Sequence, residues 1–213
     1  MMPEMDIIII SNGRTNYLRN ITRNAIRTCI ESSDLIKFNF IVVEQDKKVT
    51  YKDVTTLHYD FEFNYHKCMN LGLKYSTSKY VALCNNDLDF RLHWAENIIL
   101  AMGDTYLSAS PAKRRQQLKP VEGYTIGRHI NGWCIVINRK LLDIIGELDT
   151  GVRFWYSDNI YADQLKVNGI KHILVYESAV QHLHSLTLRQ DRSRELMRKQ
   201  YKNYITAREK YYK

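Results

Sequence analysis

Short apolar runs alternate with segments of helical periodicity along the first hundred residues of the chain. The apolar runs at Asp6–Ile10 and Phe38–Val43 are rich in β-branched residues and predict buried strands. Between them, apolar residues recur at helical spacing from Leu18 to Cys29. The same patterns predict a strand at Thr55–Tyr59, a helix at Tyr65–Tyr75, a strand at Tyr80–Cys84 and a helix from about Leu92 to Met102. This alternation is typical of an α/β fold with a mostly parallel sheet and helices on both of its faces.

The second half of the chain is less regular. The stretch Pro111–His129 is interrupted by Pro and Gly, and its basic part has no apolar face, so it predicts a loop. The patterns around and beyond it predict a strand at Asn131–Asn138, a short helix at Arg139–Ile145, a helix from Ser157-Asp158 to Asn168-Gly169, and a strand at Lys171–Tyr176.

Three of the predicted strands end in polar clusters, which are Ser11–Arg14, Glu44–Asp46 and Asn85–Asp89. Because the carboxyl ends of parallel strands meet at one edge of a sheet, the three clusters predict a binding crevice at that edge. No Gly-rich dinucleotide fingerprint and no P-loop follows any of these strands. The crevice is therefore expected to bind its ligand without either of those phosphate-binding loops.

The cluster Asn85–Asp89 allows two interpretations. Asp87 and Asp89 are two residues apart, and both can approach one hard cation such as Mg2+ or Mn2+. Alternatively, the segment is a turn whose aspartate caps the next helix. His182 and His184 alternate after the last predicted strand, so on an extended backbone they point the same way. With the carboxylates, the two histidines favour a site for a metal or a phosphate.

The positive charge is concentrated at the C-terminal end. The 213 residues carry a net charge of +8, of which Thr187–Lys213, with nine Lys or Arg and three Asp or Glu, contribute +6. This tail predicts one helix in which Met197, Tyr201 and Tyr204 share a face. Either the helix packs on the body with its basic face in water, or it contacts nucleic acid or an anionic membrane. The cluster Lys113–Lys119 likewise predicts either a solvated surface or a phosphate-binding lid.

The cysteines and the hydropathy of the chain indicate the cellular compartment in which the protein is expected. Four widely spaced cysteines lie in apolar segments and lack the spacing of a zinc site, which is typical of reduced core cysteines. No apolar run has the length of a transmembrane helix, and the N-terminus lacks a signal-peptide pattern. A cytoplasmic protein is the resulting expectation.

Taken in order, these motifs resemble the GT-A-fold glycosyltransferases of the family 2 type over about Asp6 to Ser185. That family combines an apolar first strand, an acidic residue after the second strand, an Asn-containing helix, a DxD-like motif, a Gly-aromatic strand, an acidic catalytic motif at a helix start and a late His. The matching residues here are Ile7–Ile10, Glu44, Asn64 and Asn70, Asn85-Asn-Asp87, Gly132-Trp133, Ser157-Asp158 and His182. The Asn-x-Asp motif departs from DxD because an amide replaces its first carboxylate, and Ser157 replaces one member of the acidic catalytic pair.

The resemblance implies transfer of a sugar, with inversion, from a nucleotide-diphosphate sugar to a hydroxyl acceptor, and a UDP-sugar is favoured as donor. Asp158 would be the general base, with Asp163 as the alternative. Mn2+ or Mg2+ would be held by Asp87, with Asp89, His182 and His184 as further candidate ligands. The implied nucleotide-sugar site contains Ser11, Asn12, Arg14, Glu44, Asn64, Asn70, Asn86 and Trp133.

The acceptor stays open at this point. The small size resembles compact virus-encoded DNA glycosyltransferases, which implies hydroxymethylated bases in DNA as acceptor, with Lys113–Lys119 and the tail on the phosphates. The alternatives are transfer to a surface polysaccharide or a protein, or a non-catalytic nucleic-acid-binding α/β module. The transferase domain is expected at residues 1–185, followed by a basic, Tyr-rich helix at 186–213.

Overall fold

The computed structural model describes residues 2–183 and 194–212. Its strands are β1 (Glu4–Ser11), β2 (Lys37–Glu44), β3 (Thr55–His58), β4 (Tyr80–Asn85), β5 (Leu88–Phe90), β6 (Ser108–Ala112), β7 (Val121–Glu122), β8 (Cys134–Asn138) and β9 (His172–His182). Its helices are α1 (Asn16–Glu31), α2 (Tyr65–Tyr75), α3 (Trp94–Met102), α4 (Lys140–Ile145), α5 (Ser157–Val167) and α6 (Arg194–Arg208), and a short 3-10 helix follows at Glu209–Tyr211.

The strands form one sheet in the order β3-β2-β1-β4-β8-β6-β9-β5, with β7 also paired to β9. The pairs among β1, β2, β3 and β4 and the pair β6–β9 are parallel, whereas β8 runs antiparallel to β4 and β6, and β5 and β7 run antiparallel to β9. The predicted mostly parallel α/β sheet is therefore confirmed, with several antiparallel pairs added.

The register confirms that the polar strand ends converge. Ser11 pairs with Glu44, and Ile10 pairs with Asn85, so the ends of β2, β1 and β4 lie side by side at one edge of the sheet. This edge is where ligands of open α/β sheets bind.

The central strand β1 is buried on both faces, which explains its unbroken apolar sequence. Ile7 and Ile9 pack in a core that includes Ala25 and Cys29 of α1, while the alternate residue Ile8 packs in a second core on the α2 side of the sheet. Gly72 is a weak helix former within α2, but a Cβ at this position would lie 2.5 Å from a methyl group of Ile8. Glycine there lets α2 approach β1 closely.

The segment Pro111–His129 was predicted as a loop, but it contains the end of β6 and the short strand β7. The strand β8 begins at Cys134 and not at the predicted Asn131.

Three other differences from the sequence-based prediction concern β6, α3 and β9. The strand β6 at Ser108–Ala112 was not predicted, because small residues and a proline are poor strand formers. The helix predicted from Leu92 begins at Trp94, after the short strand β5, and its N-terminal residue His93 has a left-handed φ of 62°. Asp89 therefore lies within a strand and does not cap α3. The strand β9 continues to His182, so it is longer than the predicted Lys171–Tyr176.

The C-terminal helix α6 packs on the body. Tyr204 is buried in a small apolar cluster with Val152 and Ile160, whereas Arg198 and Lys202 are exposed. This arrangement supports the first of the two tail interpretations, a packed helix with a solvated basic face. The predicted start of the helix near Thr187 and the boundary at residues 185 and 186 lie outside the described residues. Among the helices of residues 2–183 and 194–212, none combines the length and apolar character needed to cross a bilayer.

Candidate active site

The carboxylate of Glu44, at the end of β2, holds the loops around it. It is fully buried and accepts hydrogen bonds from the backbone N–H groups of Gly13 (2.7 Å) and Asp46 (2.9 Å) and from the hydroxyl of Tyr51 (2.9 Å). The loop after β1, which contains the partly exposed Asn12 and the exposed Arg14, is therefore fixed against the end of β2. All three hydrogen bonds come from other residues of this chain, so the contact of Glu44 with a nucleotide base stays a prediction.

A line of buried polar side chains runs from Glu44 across the sheet edge to Asn86. The Ser11 hydroxyl lies 2.8 Å from the hydroxyls of both Tyr51 and Thr22, and the Asn86 amide donates to Thr22 Oγ1 at 3.1 Å. Tyr51 connects this line to Glu44. We call these five residues the polar chain. It ties the ends of β1, β2 and β4 to one another through α1. Thr22 and Tyr51 carried no sequence signal that distinguished them from other polar residues.

Asp87 and His182 come together beside the polar chain. His182 Nε2 lies 3.0 Å from Asp87 Oδ1, and the Leu183 amide donates to the Asp87 carbonyl at 2.9 Å. The antiparallel pairing of β5 with β9 produces this contact, because Leu88 is opposite His182. The His182 ring also stacks on Trp133, with 5.7 Å between the ring centroids and 14° between the planes. Two predicted metal ligands and one predicted sugar contact are thus adjacent.

The other two predicted metal ligands are placed differently. Asp89 is separated from Asp87 by one residue of β5 and makes an ion pair with Arg91 at 3.3 Å. His184 lies outside the described residues. Within residues 2–183 and 194–212, no group of three or more His, Cys, Asp or Glu side chains is close enough to hold a metal by itself. The described metal candidates are therefore Asp87 and His182.

The Asp87–His182 pair fits a divalent cation bound together with a diphosphate. His182 Nε2 is buried and has no hydrogen-bond partner among the described residues, although Asp87 Oδ1 is near it. Neighbouring ligands of an octahedral cation, each about 2.1 Å from it, are about 3 Å apart, which is the spacing of these two atoms. Mg2+ and Mn2+ sites often combine one or two protein ligands with substrate phosphates. The pair suits that kind of site better than an all-protein cage.

Asp158 lies in the first turn of α5 and faces a cleft. Its Oδ1 accepts a hydrogen bond from the Asn159 amide at 3.0 Å, and burial raises the pKa of its carboxyl above the ordinary aspartate value. Gly132 makes room for it, because a Cβ at position 132 would lie 2.8 Å from Asp158 Cβ. A carboxylate whose proton affinity is raised in this way is suited to accept a proton from a bound hydroxyl.

The cleft has a volume of about 260 Å³ and joins Asp158 to His182. Its apolar lining is mainly aromatic, and Lys113 from the predicted basic loop also lines it. The predicted loop character of the basic segment is confirmed, since residues 113–120 are exposed and lie outside strands and helices. The apolar side chains that line it are Tyr65, Ile126, Ile130, Trp133, Phe154, Trp155 and Tyr156. We call the consecutive residues Phe154, Trp155 and Tyr156 the aromatic wall.

Asn64 and Asn70 hold the segment that precedes the aromatic wall. The Asn64 amide donates to the carbonyls of Thr150 and Val152, each at 3.0 Å, and its oxygen caps α2. The Asn70 side chain donates to the Leu148 carbonyl at 2.8 Å and accepts from the Leu148 amide at 3.0 Å. Their amide groups thus position the chain that leads to Asp158, and their predicted contact with a sugar stays a prediction.

Asp163, the alternative base, is bound by the tail. The hydroxyls of Tyr204 and Tyr212 donate to its two carboxylate oxygens at 2.9 and 2.6 Å, and Arg208 Nε lies 3.4 Å away. With 1% of its surface exposed, Asp163 has no access to the cleft that Asp158 faces. Of the two candidate bases, Asp158 is therefore the one that a ligand in the cleft can reach.

Neither a protein-family model nor a curated protein matches the sequence. Solved structures do match the fold. GalNAc-T7, in a structure with UDP, GalNAc and Mn2+, gives a TM-score of 0.72 at 12% identity over 98% of this chain and 48% of that chain. The mannosyltransferase PcManGT from Pyrobaculum calidifontis, in complex with GDP-Man and Mn2+, gives a TM-score of 0.68 at 14% identity over 98% of this chain and 63% of that chain.

This chain thus spans about half the length of the first of these proteins and somewhat under two thirds of the second. At such low identities the likeness concerns the fold alone. The chain has the mixed α/β architecture of GT-A glycosyltransferases, as its sequence motifs implied.

Proposed function

We propose that this chain is a metal-dependent glycosyltransferase that transfers a sugar from a nucleoside-diphosphate sugar to a hydroxyl acceptor with inversion. The observation that carries the proposal is the cleft that joins Asp158, with its raised pKa, to His182 of the Asp87–His182 pair. The end of the cleft at Asp158 suits an acceptor hydroxyl, and the end at His182 suits the diphosphate of a donor. The two structural neighbours contain UDP and GDP-Man with Mn2+, which supports a donor of this class.

The proposed reaction requires one base and no covalent intermediate. Asp158 takes the proton of the acceptor hydroxyl, and the acceptor oxygen forms a bond to the anomeric carbon. The bond from that carbon to the diphosphate breaks at the same time, and its electron pair leaves with the nucleoside diphosphate. Trp133 and the aromatic wall hold the sugars and exclude water.

The donor would lie along the polar edge of the sheet. In this arrangement the loop after β1, which the buried Glu44 holds in place, faces the nucleoside, and Asn86 faces the diphosphate. Asp87 and His182 would hold Mn2+ or Mg2+, which when bound supplies positive charge to the leaving diphosphate. UDP is favoured over GDP by the sequence resemblance.

The proposal also includes a class of acceptor, which is a polyanion. Lys113 lines the cleft, and Arg114, Arg115 and Lys119 continue the exposed basic loop. DNA that carries hydroxymethylated bases fits these charges, and the exposed Arg198 of α6 adds to them. A lipid-linked surface polysaccharide and a protein side chain are the competing acceptors. A non-catalytic nucleic-acid module is disfavoured because Asp87 and Asp158 would repel phosphates.

The metal and donor proposal is tested by thermal unfolding. Mn2+ together with UDP or GDP at about 100 times Kd should stabilise the protein by about 2.7 kcal/mol, or roughly 5–10 °C for a chain of this size. Mn2+ alone should shift Tm little, since only two protein ligands are available. Asp87→Ala should abolish the joint shift, and Asp34→Ala at an exposed position should keep it. The absence of any shift with nucleoside diphosphates would contradict the proposal.

The transfer reaction and its acceptor need separate measurements. A screen of UDP- and GDP-sugars for slow Mn2+-dependent hydrolysis identifies the donor, because water can replace the acceptor. DNA binding that weakens steeply between about 50 and 200 mM salt supports a nucleic-acid acceptor. Replacing Arg114 and Arg115 by alanine should weaken that binding while donor hydrolysis stays unchanged. Salt-independent binding, or no binding, would favour one of the other acceptors.

A further inference from the structure

Gln200 of α6 contacts the backbone of the aromatic wall directly. Its side-chain oxygen accepts hydrogen bonds from two consecutive amides, those of Phe154 (3.1 Å) and Trp155 (2.7 Å). Gln200 is buried, with 5% of its surface exposed. Phe154 and Trp155 both line the cleft, and Asp158 follows three residues after Trp155. One side chain of the tail thus holds the backbone that carries the wall and leads to the proposed base.

The backbone that Gln200 holds has an unusual conformation. Tyr156 has a φ of 70°, in the left-handed region that residues with a Cβ seldom adopt. Its ring stacks on Tyr204, with 5.5 Å between centroids and 10° between planes, and contacts Tyr201 at 5.4 Å. Such a conformation persists only when the surrounding contacts hold it, and α6 supplies several of them.

The tail is attached on both sides of this segment. Upstream, Tyr211 donates to Asp149 at 2.6 Å, and Lys210 makes an ion pair with the same carboxylate at 2.6 Å. Downstream, Tyr204 and Tyr212 hold Asp163. Because both ends of residues 149–163 are fixed to the tail, Gln200 acts on a segment that is anchored before and after the contact.

We propose that Gln200 is a positioning residue for the acceptor side of the cleft, and that α6 orders the aromatic wall and Asp158 for the reaction. This inference rests on the proposed transferase function. It assigns the tail a part in forming the site in addition to any contact with an anionic partner. The donor side lies on other elements, at the ends of β1, β2 and β4, so replacing Gln200 should leave its geometry unchanged.

The test compares Gln200→Leu, which removes the acceptor oxygen, with Gln200→Glu, which keeps one. The first measurement is amide hydrogen exchange followed by mass spectrometry. The backbone amides of residues 152–158 should exchange about tenfold faster, or more, in Gln200→Leu than in the wild type, and Gln200→Glu should resemble the wild type. For Mn2+-dependent hydrolysis of the UDP- or GDP-sugar found in the screen, Gln200→Leu should lower kcat by roughly tenfold or more and change the donor KM by less than about twofold. Gln200→Glu should restore kcat.

The matched control is Asn203→Ala on the exposed face of the same helix, which should leave exchange and kcat unchanged. All variants are measured at a temperature at which they are fully folded. Unchanged exchange in Gln200→Leu, faster exchange with unchanged kcat, or a kcat loss that Gln200→Glu does not restore would overturn the inference. If the wild type hydrolyses no donor, the proposed function fails, and the exchange result still decides by itself whether Gln200 orders the wall.

Discussion

At the scale of single residues, the most informative position is Asp158. Asp158 stands at the start of a helix, where an aspartate can also serve only to cap the helix. Its surroundings decide between a capping residue and a base. The structure places Asp158 against Gly132, in a cleft where burial raises its pKa. A helix-capping aspartate exposed to water has no such shift. The environment, rather than the residue type, makes the carboxylate suitable as a base.

Asp158→Asn should lower donor hydrolysis by a factor of about 100 or more, because general-base catalysis contributes roughly 10²–10⁴-fold. In the wild type, kcat should fall as the pH drops through the raised pKa of Asp158, so the acid limb lies above the usual aspartate value of about 3.9. The measurement is kcat against pH for both proteins. Donor-induced stabilisation should remain in the variant.

The substitution Asp158→Asn should also change the stability of the folded protein, in a direction that the pKa shift determines. Because folding raises the pKa of Asp158, the ionised form is destabilised by the fold, and a neutral amide avoids that cost. Asp158→Asn should therefore keep or raise Tm at pH 7 while activity is lost. Asp143→Asn, at an exposed position, is the control for activity. A variant that is both inactive and strongly destabilised would point to a structural role.

At the scale of elements, the polar chain explains how separate strand ends form one edge. Thr22 of α1 lies between Ser11 at the end of β1 and Asn86 after β4. Buried hydroxyls and amides in this position need partners, so each member constrains its neighbours. The sequence shows the polar strand ends separately, but the helix residue that joins them stands in an ordinary amphipathic pattern.

Thr22→Val keeps the shape of the side chain and removes its hydroxyl, which leaves the Asn86 amide without that partner. The expected cost is about 1–3 kcal/mol in the free energy of unfolding, measured with urea. Thr22→Ser keeps the hydroxyl and should lose less. Equal losses in the two variants would show that the methyl group of Thr22, rather than the polar chain, stabilises this edge.

At the scale of the whole molecule, two buried histidines make stability depend on pH. His66 Nδ1 lies 2.6 Å from the Asp149 carbonyl, and His172 Nδ1 lies 2.7 Å from Ser108 Oγ. Burial lowers the pKa of His66 to about 4 and that of His172 to about 3. Below the unfolded value of about 6.5, the unfolded chain therefore binds protons that the folded chain does not.

Stability should accordingly fall as the pH decreases from about 6.5 toward 4. Each histidine contributes a slope of at most about 1.4 kcal/mol per pH unit in the free energy of unfolding. Urea unfolding at pH 7, 6 and 5 measures the slope. His66→Gln should reduce the slope by the share of one histidine. A slope that His66→Gln does not alter would contradict this assignment.

The sequence determined the parts of the molecule whose signal is local. Period-2 and helical spacing predicted most strands and helices, and the polar strand ends predicted the binding edge, because parallel strands must end together. Asp87 and His182 were selected from the polar residues that follow predicted strands, and Trp133 and Asp158 from the resemblance of the ordered motifs to GT-A glycosyltransferases. The structure brings the first three together and connects them to Asp158 through the cleft.

Only the tertiary structure decided the contacts between elements that are distant in the chain. Strand β6 is formed by small residues because its neighbours β8 and β9 pair with it, not because of its own propensity. Asp89 and Asp163 have the same side chain as Asp87 and Asp158. However, Asp89 makes an ion pair with Arg91, and Asp163 accepts hydrogen bonds from tyrosine hydroxyls. Gln200 has no distinguishing pattern in the sequence, since its role depends on two amides 45 and 46 residues away.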